Sequence, residues 1–439
     1  MNVLQQLKTL LTEQIAIYQP SSQPFGMIHL TLTTPKVDFI AWLKAQTLFP
    51  QFYFQQRHQQ YEVVALGSLL QIKDFQQLTE LKQQYPNFNF IGGVKFAGEL
   101  HFLLPQFYLE YRKQQLTIKL FIDHLNWATQ KQQLAQYWAT FEQTQAIHSI
   151  QHITPTLIQQ SSNQAEWQSL IQQALLAIQQ KQFDKVVLAQ KITFDLDNQL
   201  NAFDFLASSA VVNQHCYHFL FAETQQSAFL GSSPECLYQR TDDHIYSEAL
   251  AGTAPIGDTK QQQLQYQNWL LNDHKNLEEN QFVAEDIQQK MSPFCQHIKI
   301  EDVQLRILRK VQHLCRPIHT VLSSQYRYWE PLLTLHPTAA IAGYPKQTAL
   351  DFIKRYEPFE RDWYAGAIGI ISQKFSELCV GLRSAQLNHD KLHLFAGAGI
   401  VKESVASEEW QEISKKMSGL LSLFNTHLDR GESNVSQYI

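Results

Sequence analysis

Two pairs of acids and one glycine-rich stretch have residue types and spacing that could do chemistry. Glu409 and Glu412 lie three apart at the start of an amphipathic C-terminal segment, so on a helix they share a face. Glu278 and Glu279 lie in an earlier segment of helical character. Carboxylates converging from two helices suit Mg2+, which takes oxygen ligands at about 2.1 Å and keeps several of its waters. The same acids also complement the dipole of a helix N-terminus. In LFAGAGIV, Gly397, Ala398 and Gly399 leave backbone N–H groups open to a carboxylate or phosphate, or else make a tight packed turn. A GxGxxG run after a strand is absent. His215, Cys216 and His218 in NQHCYHFLF resemble metal ligands only superficially. In a strand 215 and 218 point to opposite faces, and Cys216 shares a face with His218 alone. No second Cys/His cluster completes a zinc site, so these read as core or sheet residues.

The elements that must position such groups are partly visible in the hydrophobic pattern. Leu4, Leu7, Leu10, Leu11 and Ile15 have helical spacing, and Ile28, Leu30 and Leu32 alternate as one face of a strand. Mixed short strands and turns continue to about 125 without legible chemistry, and 146–163 is the best linker. Asn163, with Glu166 three residues on, caps a helix whose apolar stripe is Trp167, Leu170, Ile171, Ala174, Leu175 and Ile178. The β-branched run 185–196 is a strand with Val186, Leu188, Ile192 and Phe194 on one face and Lys185, Val187 and Ala189 on the other. Residues 260–290 read as one long helix. The last helix has Ser407 as its N-cap and Trp410, Ile413, Met417, Leu420, Leu421 and Phe424 along one side. Strands and helices intersperse without a βαβ rhythm, which favours α+β with much antiparallel sheet. No internal repeat is visible.

Composition sets outer bounds. The 439 residues carry 35 Lys+Arg against 40 Asp+Glu, a formal charge of −5, with no basic block, which argues against nucleic acid as a partner. Mean hydropathy is −0.28, and no apolar run approaches the roughly 20 residues that cross a bilayer. The opening MNVLQQLKTLLTEQ is amphipathic and lacks the apolar block and cleavage site of a secretory signal. Five scattered cysteines without CxxC spacing read as reduced thiols of a cytoplasmic protein. The 58 glutamines form no tract and fill the polar faces of periodic segments, which argues for proteome bias rather than a prion-like chain.

The motifs GSSPE, LAGT, HPTAAIAG and FAGAGIV change the picture. Together, over about 165–425, they resemble the chorismate-utilising enzymes, and within them most of all the menaquinone-type isochorismate synthases. The resemblance implies an α+β fold of two mostly antiparallel sheets packed as a sandwich with helices outside. Residues 1–150 would be its N-terminal portion and 151–439 the catalytic region, integrated as one domain. It implies an isomerase that adds water at C2 of chorismate and expels the C4 hydroxyl. Lys185 in DKVVLA matches the general base. An ordinary lysine, with a pKa near 10.4, needs burial or neighbouring charge to serve as one. Glu235 in GSSPE matches the general acid, which must hold a proton near neutral pH. Glu279 and Glu412 match Mg2+ ligands, with Glu409 in support. Asn276, three before Glu279, stands where an acid would otherwise support a metal-bound water. Arg383 and the N–H groups around Gly397 and Gly399 match the holders of the enolpyruvyl carboxylate, and Arg supplies bidentate geometry. Tyr364, Gly252, Thr253 and His336 match pocket positions.

Three residues choose among the family's reactions. Ala251 stands where aminodeoxychorismate synthases carry a nucleophilic lysine. Lys185 is present where anthranilate synthases typically lack one. Ala340 stands where anthranilate and salicylate synthases usually carry Thr. The expectation is therefore a monomeric or homodimeric cytoplasmic enzyme of menaquinone synthesis, acting on chorismate without an amidotransferase, membrane or nucleic-acid partner. A salicylate synthase, a siderophore-pathway isochorismate synthase and a non-catalytic chorismate-binding protein are the alternatives. Gln190 and Cys236 depart from the family, which often has Arg at both positions.

Overall fold

The computed structural model describes residues 2–196, 200–324, 326 and 329–424. The expected catalytic region runs to 439, and its last part, 425–439, lies outside the described residues. Among the described residues the strands form a twelve-stranded and a ten-stranded sheet. The first runs from Phe25–Thr33 at one edge through Gln115–Asp123, Phe107–Arg112, Tyr61–Leu66 and Gln51–Gln55 to Tyr217–Thr224. It continues through Ser227–Ser233, Ser384–Asn388, Lys391–Ile400 and Lys185–Asp195 to Gly343–Tyr344. The second runs through Cys295–Ile300, Val311–Leu322, His244–Pro255, Cys236–Thr241, Phe375–Val380, Ala367–Ile371, Phe90–Val94, Leu100–Leu104 and Leu70–Ile72, with Gln304–Ile307 also paired on Val311–Leu322.

Neighbouring strands in both sheets pair antiparallel, as the absence of a βαβ rhythm implied. Gln51–Gln55 pairs with Tyr217–Thr224, and Phe90–Val94 with Ala367–Ile371, so early strands complete both sheets. The sheets face each other across one apolar core, and the Tyr61 and Tyr217 hydroxyls of the first both donate to Glu377 of the second, at 2.6 and 2.7 Å. No helix among the described residues is long and apolar enough to cross a membrane.

Local signals explain most elements. Helix Gln164–Gln179 has the full capping box, Asn163 accepting from Glu166 N–H and Glu166 reaching back to Asn163 N–H. Leu4, Leu7, Leu11 and Ile15 are buried along helix Val3–Ile17, and Leu10 is half-buried. The strand Lys185–Asp195 is buried on both faces except at Lys191 and Asp195, in keeping with its β-branched run.

Five expectations are corrected. Residues 260–290 are two helices, Lys260–Asn272 and His274–Met291, because Asp273 leaves helical geometry and caps the second by accepting from Asn276 N–H at 3.0 Å. Ser407 is not the last N-cap. The helix is Ala406–Leu421, with Val405 at its cap making no side-chain bond, and Glu408 and Glu409 in the first turn complement the dipole. Part of the linker, Thr156–Gln160, is a strand paired on Lys185–Asp195. LFAGAGIV is strand rather than turn, within Lys391–Ile400. His218 is a buried sheet residue bonded to Ser232 Oγ at 2.9 Å and Cys216 is buried just before the strand, whereas His215, expected in the core or sheet, is exposed.

Candidate active site

One cavity opens where the strands Lys185–Asp195 and Lys391–Ile400 meet the helices His274–Met291 and Ala406–Leu421. Glu235, Gly252, Thr253, Glu279, Tyr364, Arg383, Gly397, Gly399 and Glu412 line it, nine of the twelve residues singled out from sequence. Lys185 lies immediately behind the wall. It is fully buried, with its Nζ 3.0 Å from Glu279 Oε1. Glu409 is also one layer back and buried. His336 is the exception: it is buried away from the cavity and its Nε2–H donates to the Lys95 carbonyl at 3.0 Å. The later residues of the same motif, Ala340 and Ile341, line the cavity in its place.

Glu235 sits in a site that favours its protonated form. Burial, and next the charge of buried Glu248, push its pKa up to about 8, against the opposing pull of Lys185 and Lys416. A carboxyl that keeps its proton at neutral pH can donate it to a leaving oxygen.

The far end of the cavity is a cradle built from backbone. Gly397 and Gly399 pair with Ala189 and Val187. The N–H of Ala189 goes instead to Glu357 Oε1 at 2.7 Å, and that of Val187 to the Ala342 carbonyl at 2.8 Å. These are therefore the wide pairs of the ladder, and the backbone polar groups of Gly397 and Gly399 turn the other way. On that side the neighbouring strand stops pairing at Leu394, and Lys416 Nζ reaches the Gly397 carbonyl at 2.8 Å. Arg383, at φ +46°, projects into the same end and donates to His313 Nε2 at 3.2 Å.

Because Arg can only donate, His313 Nε2 accepts, which requires a neutral ring with its proton on Nδ1, and Nδ1 lies 3.0 Å from Thr253 Oγ1. Burial, with Arg383 next, holds the His313 pKa well below the usual range, which agrees. Tyr364 stacks on Phe395, centroids 4.9 Å apart, and Phe395 adds an apolar wall. His313, Lys416 and Phe395 were not singled out from sequence. Lys416 had a signal, the i,i+4 spacing from Glu412; a lone His in an apolar strand had none.

Three carboxylates lie toward the other side, two on the cavity wall and Glu409 behind it, each matched by a lysine. Glu279 pairs with Lys185 at 3.0 Å, Glu409 with Lys275 at 2.8 Å and Glu412 with Lys416 at 2.6 Å. Glu409 is pushed up to about 7 by burial and then by Glu412. Among the described residues no three His, Cys, Asp or Glu side chains converge as a ready-made metal cage. Glu279 and Glu412 nevertheless present hard oxygen donors to one cavity, and one or two carboxylates completed by water and substrate are the habit of Mg2+. Asn276 does not face this cluster. Its Oδ1 accepts from Thr253 N–H at 2.9 Å and its Nδ2 donates to Asp273 at 2.7 Å, so it shapes the bulge at LAGT within strand His244–Pro255, where Gly252 takes φ +82°.

Gly399 packs so tightly that a methyl group there would lie 2.2 Å from Glu279 Oε1 and 3.1 Å from Lys185 Cε. Its backbone is ordinary strand, so Gly399→Ala should fold and displace the Glu279 and Lys185 side chains. We expect kcat to fall by about 10-fold or more, with the unfolding midpoint little changed in a thermal melt.

The two departures have separate accounts. Gln190 is buried and donates to the Ser162 carbonyl at 2.5 Å, tying the central strand to the segment before the capped helix. Cys236 is buried and its N–H donates to Glu248 Oε2 at 3.3 Å, so Glu248 is neutralised by Arg57 and Arg306 instead.

A family model described as chorismate binding enzyme matches residues 94–425. Isochorismate synthase MenF of Pasteurella multocida is 40% identical over 427 residues, which is 96% of this chain and 99% of that protein. Isochorismate synthase MenF of Haemophilus influenzae is 39% identical over 401 residues, 91% of this chain and 92% of that protein. Among solved structures, MenF, the menaquinone-specific isochorismate synthase from Escherichia coli, matches with a TM-score of 0.90 and 35% identity, over 97% of this chain and 100% of that one.

Proposed function

The chain belongs to the chorismate-binding enzyme family, and we propose that it is an isochorismate synthase that converts chorismate to isochorismate on the way to menaquinone. The observation that carries this reading is Glu235, a carboxyl buried in the cavity with its pKa at about 8, within reach of the charge of the buried Lys185 amine.

Lys185 takes a proton from the water that adds at C2. The two ring double bonds shift, and the C4 hydroxyl departs as water with the proton of Glu235. The net change moves one hydroxyl from C4 to C2. Arg383 and the N–H groups of Gly397 and Gly399 hold the enolpyruvyl carboxylate, fixing the ring between base and acid. Glu279 and Glu412 would hold Mg2+, which supplies positive charge for the ring carboxylate. Ala251 offers no amine for a covalent intermediate, and Ala340 leaves no hydroxyl beside the ring. On this reading no ammonia-supplying subunit is needed.

Incubation with chorismate and Mg2+ should yield isochorismate without pyruvate, read by chromatography. Pyruvate with salicylate would make it a salicylate synthase. Ammonia-dependent anthranilate would place it in the amidotransferase-linked branch, and chorismate binding without turnover would make it a non-catalytic binder. Glu279→Gln removes one charged oxygen donor, so the Mg2+ concentration for half-maximal rate should rise by about 10-fold or more. An unchanged metal titration would remove Glu279 from the ligand set.

A further inference from the structure

Glu235 is held from both sides of its own peptide by a pair of residues, Arg57 and Glu248, that touch no reacting atom in the chemistry described above. Arg57 follows strand Gln51–Gln55 of the first sheet, in the third of the chain whose sequence shows no chemistry, and is buried. Its guanidinium crosses to the second sheet and grips Glu248 with two bonds, Nη1 to Oε2 at 2.7 Å and Nη2 to Oε1 at 2.5 Å. The same Nη1 donates to the carbonyl of Pro234 at 3.3 Å. Glu248 in turn accepts from the Cys236 N–H at 3.3 Å. The residue before Glu235 is thus tied to Arg57 and the residue after it to the carboxylate that Arg57 holds. Tyr246 Oη and Arg306 Nη2 complete the shell of Glu248 Oε1, at 2.5 and 2.7 Å. Glu248 lies on strand His244–Pro255, three residues before Ala251 in the LAGT motif, so the clamp also ties the acid to that wall of the cavity.

We propose that Arg57, acting through Glu248, is a positioning residue for the general acid, a clamp from the first sheet that fixes the Pro234–Cys236 backbone and so the aim of the Glu235 carboxyl. This rests on the reaction assigned above. A bidentate guanidinium–carboxylate pair fixes orientation as well as distance, which one ammonium cannot do. The clamp stands apart from the Arg383, Gly397 and Gly399 cradle. Its loss should misplace the acid at the moment of proton transfer and leave substrate capture intact.

The test uses the whole protein and three variants, with kcat and KM for chorismate and a thermal melt on each. Arg57→Lys keeps the charge, reaches one oxygen of Glu248 and gives up Pro234. Its kcat should fall by about 10-fold with KM changed less than about 3-fold. Arg57→Gln should fall further, by about 100-fold, since it also leaves a buried carboxylate undercompensated. Arg57→Gln with Glu248→Gln replaces the ion pair by a neutral amide contact that can still accept from Cys236 N–H. Because losing the Glu248 charge also lowers the Glu235 pKa, rates are compared on the acid plateau of each pH profile; there it should regain about 10-fold over Arg57→Gln, and it provides a folded comparison should Arg57→Gln not fold. Arg57→Lys within twofold of wild-type kcat, a KM that rises in step with the loss, or a double variant no better than the single one would each overturn the clamp. Wild-type protein that makes no isochorismate would overturn the reaction itself, whereas wild-type turnover with an unaffected Arg57→Lys overturns the clamp alone.

Discussion

Glu235→Gln is expected to lower kcat by on the order of 10²-fold or more, the usual scale for a general acid, while chorismate KM stays within a few-fold. The substitution is nearly isosteric and uncharged, and the native carboxyl is itself neutral below about pH 8, so folding should be little disturbed. What disappears is the proton. Hydroxide is a poor leaving group, and an amide cannot transfer a proton to it.

The same site gives a pH signature. Burial first and Glu248 second raise the Glu235 pKa, so the competent, protonated form dominates below about 8 and ionises above it. In wild-type enzyme kcat/KM should fall about tenfold per pH unit on the alkaline side of that value. In Glu235→Gln the residual rate should lose that limb. A rate that persists unchanged to pH 9.5, or a variant that retains the limb, would remove Glu235 from the acid's role.

How much of this could be read from the chain depends on how local each signal is. Helix Gln164–Gln179 is legible because cap and stripe fall within one window, Asn163 and Glu166 at its start and Trp167, Ile171 and Ala174 along its buried side. The break at Asp273 is not, because apolar spacing carries on across it and only the Asp as a cap marks the new start. Ser407 misleads for a related reason: a good capping residue falls inside the first turn, two residues beyond Val405, and ends are the least determined part of a helix.

The site divides in the same way. Glu279 and Glu412 have a physical reading as converging acids, yet Glu235 after a proline and Lys185 at a strand end become chemical only through the resemblance. His336 shows the limit of carrying a motif over whole, since the bond to Lys95 turns it away and leaves Ala340 and Ile341 to form the wall. Arg57 lies 191 residues from Glu248, and nothing within its own neighbourhood announces the pairing. Long-range polar partners follow from sheet order, which a single sequence does not display.

Lys185→Ala should also cost on the order of 10²-fold or more in kcat, by the loss of the group that accepts the water's proton. The structure adds a second consequence with the opposite sign. At rest Lys185 is the buried cation that pairs with Glu279, at 3.0 Å, and it must give up that proton before it can serve as base. Without it the carboxylate has lost its nearest positive charge, and a divalent cation becomes the remedy. The Mg2+ needed for half-saturation, read by calorimetry or by the metal-dependent rise in unfolding temperature, should therefore fall in Lys185→Ala while turnover collapses. Glu279→Gln moves the metal requirement the other way.

The fall in turnover tests the base, and the tighter metal tests the ion pair with Glu279. A residue that merely held the fold together would lower the melting temperature without making the metal bind more tightly. Chorismate binding, measured by its quenching of intrinsic fluorescence, should survive the change because Arg383, Gly397 and Gly399 are untouched. Near-normal turnover in Lys185→Ala would leave the water without a base and end the assignment. A metal requirement that rises in Lys185→Ala would mean that Glu279 and Lys185 do not compete for one charge, and that the acids near the cavity hold the ion in some other combination.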